Sequence, residues 1–403
     1  MLDLRRATES DWDEIVDADA RAFGMRRQIN DVERADLRGK VADDDVVLVR
    51  DTSFPSSPLV GVSMFYRMAM TLPGGHRAPV AGLSWVSVAA THRRRGILRQ
   101  MMTELSAQWR TDGLVFAVLT ASEGTIYERY GFGPACFAET VRLPTSATLR
   151  AAPPAAPTVR FATGAEVAAA LPVLHARATA ARPGALMRDT PWWTPILADR
   201  TGERPLGVSG VHHLLHDDGY ATYRLARDAA GRVHAQVEDL FTVTADAHTD
   251  LWRVLTSLDL TDSVTASIPV DDPLPQKLTD FRAAQVTTRE DTMWLCILDV
   301  PAAWRQRHFA ADLDLVAEVT DTFGDAGGRF ALQVREGIGQ AAPTDAEPTV
   351  RLDISVFSSL YLGGLTAATF SAAGRLWADS PDTVADLDRA LAVPAAPFAG
   401  TFF

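Results

Sequence analysis

Residues Leu83–Phe132 read LSWVSVAATHRRRGILRQMMTELSAQWRTDGLVFAVLTASEGTIYERYGF. An apolar strand, Leu83–Val88, runs into a basic turn with one glycine. A helix follows, then a second apolar strand, Leu114–Thr120, then the aromatic stretch Ile126–Phe132. This order commits the chain to an α/β fold. The turn Arg93-Arg94-Arg95-Gly96 opens a helix whose apolar positions Ile97, Leu98, Met101, Met102, Leu105 and Trp109 fall on one stripe. A helix start carries unpaired N–H groups and a partial positive charge. Glycine lets backbone approach a ligand closely. With arginines through Arg99 beside it, the turn suits a pyrophosphate. A solvated basic turn before an ordinary amphipathic helix is the alternative reading of the same residues.

The chain has 403 residues, is 47% hydrophobic and 22% charged, and predicts two or three globular domains. No apolar run reaches the roughly 18 residues of a membrane span. The start turns acidic at once, which argues against a secretory signal and for a cytoplasmic protein. The net charge of −12 argues against nucleic acid as partner and is compatible with a cationic substrate. Cys136 and Cys296 have no metal or disulfide spacing and read as buried thiols. His212, His213 and His216 lie near Asp217 and Asp218, but the adjacent pair points apart in a strand, so no metal is expected.

VSVAATHRRRGILRQMM and LTASEGTIYERYGFGPA together resemble the Eis family of the GNAT acyltransferase superfamily. The general GNAT turn has a small residue where this chain has Leu98; in the Eis branch a bulky residue is usual there. The resemblance implies tandem GNAT folds followed by a sterol-carrier-protein-like α/β domain. The expected domains are a catalytic one at 1–145, a second GNAT-like one without a cofactor site at 158–290, and the third at 291–403. The segment LPTSATLRAAPPAAPTV marks the first boundary. In the second domain the strands Ala235–Thr244 and Val264–Val270 flank a helix, Ala247–Leu258, whose start carries Asp246 and Asp250. Those carboxylates cap the helix and repel a pyrophosphate. The segments Leu59–Tyr66 and Met68–Leu72 read as a hairpin, and Trp12, Ile15, Val16 and Ala20 as the buried stripe of a helix.

By resemblance, acetyl-CoA is the co-substrate. Val86, Ser87 and Val88 would hold its pantetheine arm through backbone groups, and Ser122 and Glu123 would lie near its reacting end. Tyr127 corresponds to the acid that protonates the departing thiolate, with Tyr130 as rival and plain packing as the alternative for both. The α-carboxylate of Phe403 corresponds to the base; a frayed tail is the alternative. Phe23, Trp85, Asp291 and Phe402 correspond to substrate-lining positions. An acidic residue of the family's loop falls here on Met25 or Arg26, and the family's acidic penultimate residue is Phe402. The implied activity is N-acetylation of aminoglycoside amines, at one or several positions, with antibiotic resistance as its consequence. Lysine side chains of proteins are the second substrate class. A lipid-binding or interaction protein without catalysis is the third reading. A homo-oligomer, a hexamer, is implied.

Overall fold

The computed structural model describes residues 1–24, 29–200 and 207–403. Met25 and Arg26 therefore lie outside the described residues. Strands β1–β5 span Leu2–Arg6, Val46–Asp51, Leu59–Thr71, Arg77–Val88 and Phe116–Leu119. Strands β6–β12 span Gly133–Pro144, Arg160–Phe161, His212–His216, Gly219–Arg227, Val233–Thr242, Ser263–Pro269 and Gln285–Ile297. Strands β13–β17 span Leu313–Thr320, Gly328–Arg335, Ile338–Pro343, Val350–Asp353 and Leu376–Ala378. Helices α1–α6 span Trp12–Ala22, Asp31–Lys40, Ile97–Thr111, Gly164–Ala178, Thr190–Ala198 and Ala245–Leu255. Helices α7–α11 span Leu274–Lys277, Val300–Gln306, Ile354–Tyr361, Ala367–Ala372 and Pro381–Leu391.

Contacts divide the chain into two compact units. The first holds Met1–Ala135, Met293–Val393 and Phe402–Phe403; the second holds Cys136–Thr292 and Pro394–Thr401. In the first, β1 to β4 pair antiparallel in sequence order. β5 joins β4 in parallel, and the end of β12 adds antiparallel to β5, Trp294 opposite Leu119. α3 covers one face: Ile97, Met101, Met102, Leu105 and Trp109 are all buried there with Phe65, Leu83 and Leu119. Each buried side chain of this size contributes about 1.5–3 kcal/mol, which is why the stripe dictates the packing.

The expected hairpin at Leu59–Leu72 is not formed. β3 runs unbroken from Leu59 to Thr71, and its partner is β4, reached through a turn at Leu72–His76. Arg67, the residue between the two expected strands, has no turn chemistry. It projects outward and donates to both oxygens of Asp45 (2.8 and 2.7 Å) and to Asp112 (2.8 Å), so the chain stays extended.

The remainder of the first unit is a five-stranded sheet in the order β15-β14-β13-β16-β17, packed with α8, α9 and α11. Every residue of α9 is buried. The Ser358 hydroxyl accepts from the Ile297 amide (3.1 Å) and donates to the Gly131 carbonyl (3.2 Å). A Cβ on Gly133 would stand 2.1 Å from the Ser355 carbonyl oxygen, so only glycine admits this approach. The interior among Trp304, Leu315, Leu332, Phe357 and Tyr361 holds a void of about 10 Å³, room for a single water and too little for an acyl chain.

In the second unit, β7 to β10 pair antiparallel and β11 adds to β10 in parallel. β11 then pairs antiparallel with the 138–144 part of β6. α6 packs against β8, β9 and β10 through Leu251, Trp252 and Leu255. His212 and His213 are consecutive on β8; His212 stacks on Tyr223 at 5.0 Å, and the Asp218 amide donates to His216 Nδ1. Among the described residues no three His, Cys, Asp or Glu side chains converge on a metal position, and no helix is long and apolar enough to cross a membrane. Cys136 and Cys296 are buried, and burial pushes both thiols up.

Candidate active site

The site lies in the first unit, where β4 and β5 part. Their ladder runs from Val80 opposite Phe116 to Leu83 opposite Leu119, and β5 ends there. β4 continues to Val88. The backbone of residues 84–88 thus extends past the partner strand on that side. Its other edge is disturbed as well: Val62 faces Ser87 and Met64 faces Ser84, so Trp85 and Val86 together oppose Ser63 in a β-bulge. Trp85 takes φ 53° to make it. A non-glycine residue in that conformation costs about 1–2 kcal/mol, and the neighbouring pairs hold it in place. Trp85, Val86 and Val88 are half-buried and Ser87 is buried.

The chain next passes a short 3-10 turn, Ala90–His92, and enters α3. Gly96 is the N-cap, at φ 77°, with no side-chain cap. A Cβ there would meet nothing within 4 Å, so glycine serves the backbone conformation alone. No acidic residue stands in the first turn of α3. Its leading amides therefore face outward with their partial positive charge. Arg93, Arg94, Arg95 and Arg99 are exposed around them, Leu98 is half-buried and Ile97 is buried. Arg99 lies over the Phe323 ring at 5.5 Å.

A residue that the sequence analysis missed fixes this turn. His92 is buried, its Nε2 3.0 Å from Asp51 Oδ2 and its Nδ1 2.8 Å from Thr91 Oγ1. Asp51 also accepts from Ser53 and stands 3.4 Å from Arg95. These hydrogen bonds, led by Ser53, hold its carboxyl well below the usual range. His92 stands in the quoted VSVAATHRRRGILRQMM stretch without a role of its own there, and Asp51, at the end of β2, lies 41 positions away from it.

Past β5, Ser122 and Glu123 are exposed. Tyr127 caps the 3-10 turn Glu128–Tyr130, which Gly131 closes at φ 87°. Tyr127 is buried, edge-on to Phe132 at 6.2 Å. Burial first, then the Glu123 charge, push its phenol up to about 12. Tyr130 shares the buried cluster of Tyr127 and packs edge-on against Phe323 at 4.8 Å. Burial raises its phenol too. Arg375 pairs with Glu128, next to Tyr127, a contact between distant segments that no local pattern reveals.

Tyr127, Ile97, Leu83 and Leu119 share one buried cluster, and Val86, Val88 and Leu98 pack against it. The structure thus brings the strand end, the helix start and the tyrosine together. Phe403 also reaches this unit. A Cβ on Gly82 would lie 3.1 Å from its ring, so the absent side chain is what seats it. Phe402 is exposed. Phe23, at the end of α1, is 47% exposed. Asp291 lies in the second unit, exposed on β12.

The acetyltransferase (GNAT) domain profile matches residues 3–135, and a second profile of the same description matches 184–305. A sterol carrier protein domain profile matches 300–400. The chain is 39% identical over 363 residues to N-acetyltransferase Eis of Mycobacterium tuberculosis, covering 88% of each chain. It is 30% identical to an uncharacterized N-acetyltransferase of Streptomyces avermitilis over 98% of each. The crystal structure of Eis1 from Mycobacterium abscessus superposes with a TM-score of 0.86 at 28% identity, covering all of both chains. A GCN5-related N-acetyltransferase from Anabaena variabilis shares the fold (TM-score 0.85, 19% identity). With two acetyltransferase folds, a sterol-carrier-like fold and this level of identity along nearly the whole length, the chain belongs to the Eis family of GNAT N-acetyltransferases.

Proposed function

We propose that the protein transfers the acetyl group of acetyl-CoA to amines of aminoglycosides or similar small polyamines. The observation that carries this is the convergence of three features on one core: the parted β4 and β5, the glycine-capped start of α3, and the buried, protonated Tyr127. The residues fit the co-substrate. The backbone of Val86, Ser87 and Val88 offers unpaired groups to the pantetheine amides. The amides after Gly96 and the guanidinium groups of Arg93, Arg94, Arg95 and Arg99 suit the pyrophosphate, and Ser122 and Glu123 follow the strand end. We assign Phe23, Trp85 and Phe402 to substrate lining, and Asp291 to attraction of a cationic substrate.

Acetyl-CoA supplies an activated acyl carbon; the chain's own groups move the protons. The α-carboxylate of Phe403 is ionised at neutral pH and takes the proton that the attacking amine loses. Tyr127, held protonated by burial, gives its proton to the departing thiolate. A thiol ordinarily titrates near 8.5. Full transfer from a phenol near 12 to that thiolate is uphill by about 3–4 pK units, so the proton passes as the C–S bond breaks, and Tyr127 is reprotonated from solvent before the next turnover. The second GNAT-like fold is assigned no co-substrate, and a homohexamer is the expected assembly, measurable by light scattering.

The test is incubation of the protein with acetyl-CoA and an aminoglycoside panel, reading thiol release and product mass. Products heavier by one or more acetyl groups support the reading. Acetylation of a lysine peptide alone moves the substrate to protein. No turnover with either class overturns the assignment.

A further inference from the structure

The second acetyltransferase fold repeats the device of the first. The β10–β11 ladder stops at Val237 opposite Ala266, while both strands continue. β10 has its own bulge just there: Val237 faces Tyr223 and Asp239 faces Thr222, leaving Glu238 over. Two core strands again part after a bulge. Here, however, the gap meets the protein's own chain. The Ala396 amide donates to Asp271, just past the end of β11 (2.8 Å). At the other strand, a Cβ on Gly400 would come within 2.9 Å of the Phe241 ring of β10. Between these points the tail pairs with the segment before α5. Phe398 donates to the Pro183 carbonyl (2.9 Å), and Leu186 donates to the Ala399 carbonyl (3.0 Å).

Arg188 sits at the centre of this arrangement, its side chain only 6% exposed. It forms a two-pronged pair with Asp239 of β10, one prong at 2.9 Å. Two further donors go to the tail: Nη2 to the Gly400 carbonyl (2.7 Å) and Nε to Thr401 Oγ1 (3.0 Å). Its plane lies over Trp193 and Phe241, at 5.3 and 5.6 Å. A planar fork is the group suited to hold a carboxylate and two tail oxygens at once.

We infer that the second acetyltransferase fold is a docking module for residues 396–401, with Arg188 as the residue that positions the active-site end of the tail. Its catalytic consequence rests on the reading of the Phe403 carboxylate as base. Phe403 is two residues beyond Thr401, a reach of about 7 Å of extended chain. Anchoring Gly400 and Thr401 therefore restricts where that carboxylate goes. A displacement of about 1 Å in reacting groups is enough to cost on the order of 10²-fold in rate.

The test uses the full-length protein and four variants, with hydrogen exchange across 394–401 and steady-state kinetics as paired readouts. Arg188→Ala is expected to raise exchange of the Phe398 and Leu186 amides at least about tenfold. It should lower kcat about 10²-fold while the KM for acetyl-CoA stays within about twofold. Arg188→Lys keeps a cation beside Asp239 and loses the fork; it should fold, with a smaller change of the same pattern, and decides the matter if the alanine variant does not fold. Thr401→Val, which removes one of the two tail bonds, should fall between wild type and Arg188→Ala. Arg224→Lys, in another ion pair of the same sheet, should move neither readout. Tail amides that stay as protected in Arg188→Ala or Arg188→Lys as in wild type overturn the anchor. Faster exchange with unchanged kcat supports the anchor and overturns Arg188 as the residue that positions the Phe403 carboxylate.

Discussion

The two strand–helix–strand crossovers of this chain share a backbone plan and differ at the helix start. α3 begins at Gly96 with no side-chain cap and no carboxylate in its first turn. α6 begins at Thr244, whose hydroxyl accepts from the Ala247 amide, with Asp246 beside it. Lys277 then donates to the Ala245 carbonyl and to Thr249. One helix start carries no side-chain cap and no carboxylate. The other is closed by the protein's own groups, and its strand gap meets the tail. On the proposed reading, the same parted strands serve one module as a ligand cleft and the other as an internal socket.

Four experiments sharpen or break this comparison. The largest effect is expected from Tyr127→Phe, which removes the proton donor proposed for the first module. kcat should fall about 10²–10⁴-fold with the KM for acetyl-CoA nearly unchanged, read by thiol release. Next is Gly96→Asp, which sets a carboxylate at the start of α3 and also forces a side chain onto backbone at φ 77°. The KM for acetyl-CoA should rise about tenfold or more, measured by steady-state kinetics, and the converse Asp246→Asn in α6 should leave it unaltered. An equal response to both would erase the distinction.

Thr244→Ala should cost about 1 kcal/mol in urea unfolding and leave turnover intact. The smallest effect on rate concerns alkali. With its phenol near 12, Tyr127 stays protonated, so kcat should show no loss from its ionisation between about pH 8 and 11. The linked stability has a definite sign. The unfolded phenol ionises near 10 and the folded one later, so the folded state retains the proton. Wild type should therefore lose stability relative to Tyr127→Phe as pH rises from about 10 toward 12, measured by unfolding at both ends.

Much of the first module was legible because its signals are local. The stripes Ile97–Trp109 and Trp12–Ala20 follow from spacing and are buried, with Leu98 half-buried, and the Gly96 turn stands exposed at the start of α3. The aromatic stretch at Tyr127 also stood out, but its 3-10 geometry did not. That geometry depends on Gly131 at positive φ and on the close approach of Ser355 and Ser358 from α9. α4 contains Pro172, a residue that ordinarily interrupts a helix. The pairs His92–Asp51 and Arg188–Asp239 join residues 41 and 51 positions apart. Their acidic partners lie on strands far off in sequence, a pairing that single-chain patterns do not encode.

The interlock around Gly131 and Gly133 bears on how this enzyme can be taken apart. Residues 1–135 look like a portable catalytic cassette, yet the strand that borders β5 and the helix that meets the tyrosine turn come from beyond Met293. Expressed alone, that cassette would present a raw sheet edge at β5 and an uncovered apolar flank, both invitations to aggregation. Domain-swapping or minimisation of such enzymes should therefore cut the chain so that 1–135 and 293–393 travel together.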